Sequence, residues 1–252
     1  MEIGKTVEIL ESMTSVCRDN GTVFTESDRA DVIASLLFET DYHLLFGGKL
    51  CFVYGKRNFQ PGDEVVLISS HIDSVYKEYF CREDGDMIAG TFDNSLTNTA
   101  VVCNMFEGRF ADNIIVAFTG DEEVDSEGAL EVYRILRQAK LNVRFALVTD
   151  VTNEGAEQGL AVSAENDRGV GIFNGKKIAD VLIGSYAGEY TCVSNAEPDE
   201  SWDYNALNIP AMSLCIPVAG DLHSEGGVML KTDVLPRYCD ALADIANAVA
   251  QE

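Results

Sequence analysis

The sequence predicts an α/β fold: a three-layer sandwich in which helices flank both faces of a mostly parallel mixed sheet. Short apolar runs typical of buried strands alternate with longer segments of helical periodicity through most of the chain. The 252 residues, 46% of them hydrophobic, are enough for one sizeable core. No repeat, low-complexity tract or Pro/Gly-rich linker marks a boundary. We therefore expect a single domain spanning residues 1–252.

The first half of the chain is predicted to begin with two helices and to continue with strands. Apolar residues recur at helical spacing through Glu2–Cys17, and capping residues from Thr25 introduce a second helix that runs to about Glu39. Apolar runs bounded by turn residues then predict two strands and a small polar hairpin, and a glycine-led turn precedes the next helix. These are the strands Leu50–Tyr54 and Glu64–Ser70, the hairpin Tyr79–Ile88 and the helix Ser95–Phe106.

The second half alternates strand and helix more regularly. Asn113–Phe118 is a short apolar run of strand type, and Ser126–Lys140 has helical spacing. Val143–Thr149 is apolar almost throughout, as expected of a strand buried on both faces. The remaining predicted elements are strands at Gly159–Ala164, Tyr190–Val193 and Ala211–Pro217, a short helix at Gly175–Gly184 and a last helix at Thr232–Ala250.

The charge and the cysteine content limit the classes of function. The formal net charge is −24, and such a field repels nucleic-acid phosphates and anionic membrane surfaces. No apolar run is long enough to span a bilayer, and the N-terminus shows no secretory signal. The seven cysteines are scattered and contain no CxxC pair, which favours a reducing compartment. We expect a cytoplasmic protein without nucleic-acid or membrane partners.

Potential metal ligands follow four of the predicted strands. They are His71 with Asp73, Glu122 with Glu123, Asp150, and His223. Because the carboxyl ends of strands form the ligand crevice in open α/β sheets, these side chains are expected to converge. Asp93, which begins a helix after a glycine-led turn, could join them. Of only three histidines, two lie at these strand ends, and the third, His43, is interpreted as structural.

The residue types favour zinc or a similar metal. Taken alone, the acidic stretch Thr119–Leu130 is most simply a solvated loop between a strand and a helix. Together with the other strand ends it contributes to a set of two histidines and three carboxylates without a thiolate, which suits zinc. Five ligands exceed what one tetrahedral catalytic zinc needs. They fit two metals that share a bridging carboxylate and together activate a water.

The motifs, in this order, resemble those of the co-catalytic di-zinc exopeptidase superfamily. They are HID at His71–Asp73, GTFDN at Gly90–Asn94, DEE at Asp121–Glu123, the strand-end Asp150, and LHS at Leu222–Ser224. The resemblance extends from about Glu64 to the C-terminus, and the tail NIPAMSLCIPVAGDLHSEGG is similar to the glutamyl and tetrahedral aminopeptidase branch. The short spacing between His71 and Asp93 leaves no room for the dimerisation domain that the tetrahedral branch inserts there. The resemblance therefore implies a single-domain zinc aminopeptidase, which could associate as a homo-oligomer.

The resemblance also implies a role for each matching residue. Two zinc ions per chain, with Co²⁺ or Mn²⁺ as alternatives, would be held by His71, Asp93, Glu123, Asp150 and His223. Asp93 matches the carboxylate that bridges the metals. Glu122 matches the general base, and Asp73 the acid that orients His71. The implied reaction removes N-terminal residues from peptides, or cleaves small amides, with a water that the two metals activate.

Other functions stay open from the sequence. A related zinc amidohydrolase, carboxypeptidase or deacylase would use the same metals, and a mononuclear acyltransferase of the glutaminyl cyclase kind would hold one. A non-catalytic binding homologue would have kept the fold alone. Binding of a free N-terminal amine needs a further carboxylate, and the segment before the last strand offers candidates. They are Asp199, Glu200 and Asp203, with Trp202 and Tyr204 as walls of a side-chain pocket, although an ordinary acidic loop explains this segment equally well.

Overall fold

The computed structural model describes residues 3–15, 26–76, 78–163, 171–193 and 198–251, and here strands alternate with helices as the sequence predicts. The helices are α1 (Ile3–Ser15), α2 (Glu26–Leu37), α3 (Ser95–Phe106), α4 (Glu127–Gln138), α5 (Gly171–Ser185), α6 (Glu200–Ala206) and α7 (Val234–Ala250). The strands are β1 (His43–Gly47), β2 (Cys51–Gly55), β3 (Glu64–His71), β4 (Cys81–Asp84), β5 (Met87–Gly90), β6 (Ile114–Thr119), β7 (Asn142–Thr152), β8 (Leu160–Ser163), β9 (Tyr190–Val193), β10 (Ala211–Pro217), β11 (Ala219–Gly220) and β12 (Val228–Lys231).

A mixed sheet of eight strands, in the order β1-β2-β6-β3-β7-β10-β8-β9, forms the middle layer. Its four central strands, β6, β3, β7 and β10, run parallel to one another. Every residue of β6 and β10 is buried, as expected of apolar runs that are covered on both faces. Antiparallel neighbours, β2 and β8, extend the sheet on either side. The carboxyl ends of the four parallel strands therefore lie side by side at one end of the sheet.

Helices cover both faces of this sheet. One face contributes to a large core with α1, α3, α5 and α7, and the other to a smaller core with α4 and α6. Helix α7 buries Leu235, Leu242 and Val249, which are seven residues apart and so lie on one side of the helix. Truncating such a buried leucine to alanine costs roughly 2–5 kcal/mol. The arrangement is the three-layer α/β sandwich that the sequence predicts.

A second sheet of four antiparallel strands, in the order β11-β12-β5-β4, lies beside the first. The predicted polar hairpin supplies its strands β4 and β5. At Gly227 the backbone has φ +67, and a Cβ atom there would lie 2.4 Å from the carbonyl oxygen of Gly90, so glycine is required. Because β5 precedes Asp93 and β12 follows His223, this small sheet brings those two residues to the same end of the main sheet.

Four described elements were not predicted: β1, β11, β12 and α6. The segment before β10 could be interpreted from the sequence as an ordinary acidic loop. That interpretation is wrong, because residues 200–206 form helix α6. Asp199 caps this helix by accepting a hydrogen bond from the Ser201 amide. His43 begins the edge strand β1, where it is exposed. The predicted element boundaries at Glu2, Cys17, Thr25 and Ala164 lie outside the described residues.

The described cysteines are all free, and most are buried. Among the helices that the structure describes, none is both long and apolar enough to cross a lipid bilayer.

Candidate metal centre

The five predicted metal ligands and the predicted base line one cavity of about 700 Å³ at the carboxyl ends of the parallel strands. They are His71, Asp93, Glu123, Asp150 and His223, with Glu122 as the base. Asp73 lies beneath them and is fully buried. Residues that are far apart in the sequence therefore come together as predicted, although their roles stay predictions.

The strand register explains how His71 and Asp150 come together. Ser70 of β3 pairs with Thr149 of β7, so the residues that follow stand side by side and point to the same face. The Nε2 atom of His71 lies 3.7 Å from Oδ1 of Asp150. Asp150 is in turn paired with Cys215 of β10, a buried residue that also lines the cavity.

Asp73 joins the end of β3 to the turn that carries the two glutamates. Its Oδ1 accepts a hydrogen bond from Nδ1 of His71 at 3.2 Å, and its Oδ2 accepts one from the backbone amide of Glu123 at 3.2 Å. Burial opposes ionisation, but the bond and charge of His71 and the Glu123 amide hold the pKa of Asp73 below its ordinary value. Because its Nδ1–H donates to Asp73, His71 presents Nε2 to the cavity as a ligand atom.

The two glutamates lie on a tight turn built around Asp121. Asp121 has φ 59, and its carbonyl oxygen accepts bonds from the amides of Asp125 and Ser126 at 3.2 and 2.8 Å. The turn separates the neighbouring side chains, so Glu122 approaches one histidine and Glu123 the other. Oε2 of Glu122 lies 3.9 Å from Nε2 of His71. The turn before α4 thus positions both carboxylates at the cavity. From the sequence of this stretch alone, they could equally belong to a solvated loop.

Asp93 and His223 complete the other side of the cavity. Asp93 is buried in the left-handed region at φ 41, and its Oδ2 has no hydrogen-bond partner among the described residues. Nε2 of His223 lies 3.9 Å from Oδ1 of Asp93 and 3.3 Å from Oε1 of Glu123. The backbone amide of His223 donates to the hydroxyl of Tyr76 at 3.0 Å, and the two rings meet edge to face.

The sequence did not reveal the supporting roles of Tyr76 and Asn94. The Asn94 side-chain amide donates to the carbonyl oxygens of His71 and Thr149 at 3.1 Å each, which ties the start of α3 to the ends of β3 and β7. Asn94 stands within the GTFDN motif, so the motif was a signal for it. Nothing in the sequence indicates Tyr76, because its partner His223 is distant along the chain.

Two groups of ligand atoms in this cavity are close enough to hold metal ions. One group is His71, Glu122 and Glu123, and the other is Asp93, Glu123 and His223, with all atoms of a group within 4.8 Å of one another. Glu123 belongs to both groups. The buried, unpartnered oxygen of Asp93 is what a bound cation would satisfy, and the mixture of imidazole and carboxylate without thiolate suits zinc. The residues present therefore fit bound metal ions.

The electrostatics of the cavity are those of carboxylates crowded together. Burial raises the pKa of Glu122 to about 9, although the charge of His71 lowers it. Burial likewise raises the pKa of Glu123. The hydrogen bond that His223 donates to Glu123 raises the pKa of His223 to about 8. Burial would lower the pKa of His71, but Glu122, Asp150 and Asp73 together raise it well above its ordinary value. Such a site attracts cations.

Of the residues suggested for substrate binding, only Asp199 reaches the cavity. Glu200 is fully buried under the sheet end, where its Oε2 accepts a bond from Ser69 at 2.6 Å. Tyr204 lies beside the same Ser69 hydroxyl, and neither it nor Trp202 lines the cavity. The suggested aromatic walls are therefore wrong for this cavity, because Tyr204 is fully buried beside Ser69 and Trp202 is an exposed residue outside the lining. No described residue that lines the cavity is lysine or arginine.

Comparison of the sequence with protein families gives one match. The pattern of peptidase family M28 matches residues 53–235, which include every candidate metal ligand. Among curated protein sequences, no match was found.

Solved structures resemble the chain over nearly its whole length. An aminopeptidase from the archaeon Desulfurococcus kamchatkensis, APDkam598, shares 14% identity at a TM-score of 0.75, covering 97% of this chain and 95% of its own. The TET1 peptidase of Pyrococcus horikoshii, described as able to form a tetrahedron or a large octahedral shell, shares 12% identity at 0.73, with 96% and 99% covered. Aminopeptidase PepT from Bacillus cereus shares 10% identity at 0.70, with both chains covered fully. At these identities the likeness establishes the fold.

Proposed function

The chain belongs to peptidase family M28, a family of metal-dependent peptidases, and from that premise we propose that it is an aminopeptidase that hydrolyses the N-terminal peptide bond of its substrates. The observation that carries this proposal is the convergence of two histidines and several carboxylates in one acidic cavity, where ligand atoms lie close enough to hold metal ions. Glu122 in the same cavity is the base that we assign, and Asp73 beneath it orients His71.

We propose that two zinc ions occupy this centre. His71 and Asp150 would hold one ion, Glu123 and His223 the other, and Asp93 would contact both. Metals bound in this way polarise a substrate carbonyl and acidify water. The unpartnered Oδ2 atom of Asp93 supports its shared role, since a second cation would use the free oxygen. Co²⁺ or Mn²⁺ would fit the same nitrogen and oxygen donors.

Glu122 is the group we assign to proton transfer. It takes a proton from the attacking water and returns that proton to the nitrogen of the leaving amine. Its position in the cavity beside the proposed ligands supports this role, because a proton-transfer group must reach the reacting water. Asp73 keeps the Nδ1 proton on His71, and its bond to the Glu123 amide holds the turn that carries Glu122.

The charge of the cavity favours an aminopeptidase over a carboxypeptidase or a deacylase of N-acyl amino acids. Substrates of the latter two classes carry a free carboxylate near the cleaved bond, and a cationic side chain usually binds it. The described lining contains no lysine or arginine but several carboxylates. A free N-terminal ammonium suits this lining, whereas a carboxylate would be repelled.

A substrate panel tests the proposal. The zinc-loaded protein is offered aminoacyl anilides, N-acetylated aminoacyl anilides and N-acyl amino acids, each with and without a chelator. We expect turnover of the free-amine anilides only, and its loss on chelation. Preferential turnover of N-acyl amino acids would contradict the proposal in favour of a deacylase or carboxypeptidase. No turnover of any substrate would favour a non-catalytic homologue, and one zinc per chain would favour an acyltransferase.

We further propose that residues 1–252 form one catalytic domain, that the protein acts in the cytoplasm and that copies of it can associate. The large core, which includes side chains from α1 and α7, supports one domain. The free cysteines among the described residues support a reducing compartment. The assembly described for the TET1 peptidase supports association. Gel filtration with light scattering gives the number of copies.

A further inference from the structure

The cavity continues beyond the candidate metal ligands across β10 towards β8. Asp150 pairs with Cys215, and Cys215 pairs with Ala161 on the next strand, so their side chains point to the same face. At about 4.8 Å per strand, roughly 10 Å separates Asp150 from β8. Ala161, Val193 and Cys215 form a small apolar cluster of their own, and the last two line the cavity. This part of the cavity, which we call the side pocket, has an apolar wall.

A buried carboxylate lies in the side pocket. Asp199 lines the cavity and is only 7% exposed. Its carboxylate accepts hydrogen bonds from the Ser201 amide at 2.8 Å, and from the hydroxyls of Ser201 and Ser213. These donors fix the orientation of the carboxylate. Asp199 is one of several carboxylates in a cavity whose described lining contains no lysine or arginine.

A buried hydroxyl next to this carboxylate lacks a partner. Ser163 lines the same cavity, is 1% exposed, and its Oγ has no hydrogen-bond partner among the described residues. Ser163 of β8 pairs with Ser213 of β10, the residue that donates to Asp199, so the two polar groups are neighbours. A buried polar atom without a partner is unfavourable, and this one points to a polar ligand group, from which a hydroxyl can accept a hydrogen bond.

We propose that the side pocket binds the side chain of the substrate's N-terminal residue and selects lysine and arginine. The aliphatic stem packs on Val193 and Cys215, the cationic head pairs with Asp199, and Ser163 Oγ accepts one of its N–H donors. Both residue types combine an apolar stem with a charged head that carries several donors. This inference rests on the proposed aminopeptidase function, since it names the substrates of that same site.

The alternative partner of Asp199 is the N-terminal ammonium group of the substrate. Every aminopeptidase substrate carries that group, whereas the proposed cationic side chain is present only when the N-terminal residue is lysine or arginine. Loss of the Asp199 charge therefore separates the two cases. A contact with the ammonium affects every substrate equally, and a contact with the side chain affects lysine and arginine alone.

Relative rates on matched substrates test the proposal. The value of kcat/KM is measured for lysyl, arginyl, leucyl and norleucyl anilides with the zinc-loaded wild type and with Asp199→Asn. Asparagine still caps a helix, so α6 is retained. We expect the wild type to prefer lysyl over norleucyl substrate by about tenfold or more, and the ratio to approach one in the variant. A wild-type ratio near one, a ratio that survives Asp199→Asn, or an equal loss on all substrates would overturn the proposal.

A control variant and a binding measurement sharpen the test. Asp203→Asn makes the same charge change on the same helix, but Asp203 does not line the cavity, so the wild-type ratio is expected. Titration calorimetry with free L-lysine and L-norleucine needs no turnover. Lysine should bind the wild type about tenfold or more tightly than norleucine, and this difference should disappear in Asp199→Asn. If no anilide is hydrolysed, the proposed aminopeptidase function fails, but this titration still tests the selectivity of the side pocket. Equal affinities for lysine and norleucine would refute the proposed selectivity.

Discussion

Glu122 and Glu123 are adjacent in the chain, yet their carboxylates face different histidines. Glu123 Oε1 lies 3.3 Å from His223 Nε2, while Glu122 Oε2 lies 3.9 Å from His71 Nε2. The turn around Asp121 creates this separation, and Asp73 holds it by bonding both His71 and the Glu123 amide. Two acids with nearly the same surroundings in sequence can therefore take different roles, one as a ligand and one as a base.

Replacing Asp73 by asparagine should weaken metal binding. Asparagine keeps the volume of Asp73 but removes the charge that keeps the Nδ1 proton on His71. Changes to such supporting carboxylates typically lower metal affinity by about 10–100-fold. Competition with a chromogenic chelator measures the zinc dissociation constants. Constants equal to those of the wild type would show that Asp73 does not support His71 as a ligand.

Replacing Asp93 by asparagine should stabilise the metal-free protein and weaken its response to zinc. The charge of Asp93 contributes to the raised pKa of Glu123, and its Oδ2 has no described partner. Asparagine tolerates the left-handed backbone at this position. We expect a gain of about 1 kcal/mol in chelator, measured by urea unfolding. The exposed Asp125→Asn is the control for charge alone, and a loss of stability in Asp93→Asn would contradict the account.

The metal-free protein should lose stability as the pH rises. Burial raises the pKa of Glu122 from 4.5 to about 9, so the folded state keeps a proton that the unfolded chain has released. Over that range the unfolded state binds fewer protons, and stability falls with increasing pH. The raised pKa values of His71 and His223 act in the same direction. The stabilisation that each charged ring provides is lost as the pH rises through the pKa of that ring in the folded protein.

Melting temperatures in chelator between about pH 5 and about pH 9 measure this dependence. The Glu122→Gln variant should show a smaller fall than the wild type, because glutamine does not titrate. A melting temperature of the wild type that rises over this range would be inconsistent with the buried carboxyl group described here.

Gly128 should not tolerate a side chain. A Cβ atom there would lie 2.4 Å from the carbonyl oxygen of Gly120, at the junction between β6 and the turn that carries Glu122. Gly128→Ala should displace this turn, lowering both activity and stability, the latter by about 1–3 kcal/mol. Gly184→Ala is the matched control, because nothing lies within 4 Å of its Cβ position, and in helix α5 it should be neutral or stabilising. Equal behaviour of the two variants in thermal unfolding would contradict the close approach.

The main sheet and the convergence of the candidate ligands follow from local sequence patterns. The runs that became β3, β6, β7 and β10 are almost continuously apolar, so both the strands and their burial on two faces could be predicted. Polar residues at the ends of parallel strands must meet, whatever their separation in sequence. This is why His71, Asp150 and the two glutamates could be proposed before the structure was available.

The parts that could not be predicted depend on partners distant in the chain. Helix α6 has only seven residues, and the burial of Glu200 within it depends on Ser69 in β3. Strand β12 is short, and it forms because β5 lies beside it. The side pocket depends in the same way on the register of β8 against β10, which brings Ser163 next to the serine that supports Asp199. No local pattern contains this information.

Metal content and turnover, measured together in Glu122→Gln and Glu123→Gln, test the central claim most directly. We predict that Glu122→Gln keeps two zinc ions per chain and loses about 10²–10⁴-fold in kcat, because only the proton-transfer group is removed. Glu123→Gln should lose zinc as well as activity, since its carboxylate is a proposed metal ligand and lies 3.3 Å from the other proposed ligand His223. A Glu122→Gln protein that holds two zinc ions and hydrolyses peptides at the wild-type rate would contradict the account.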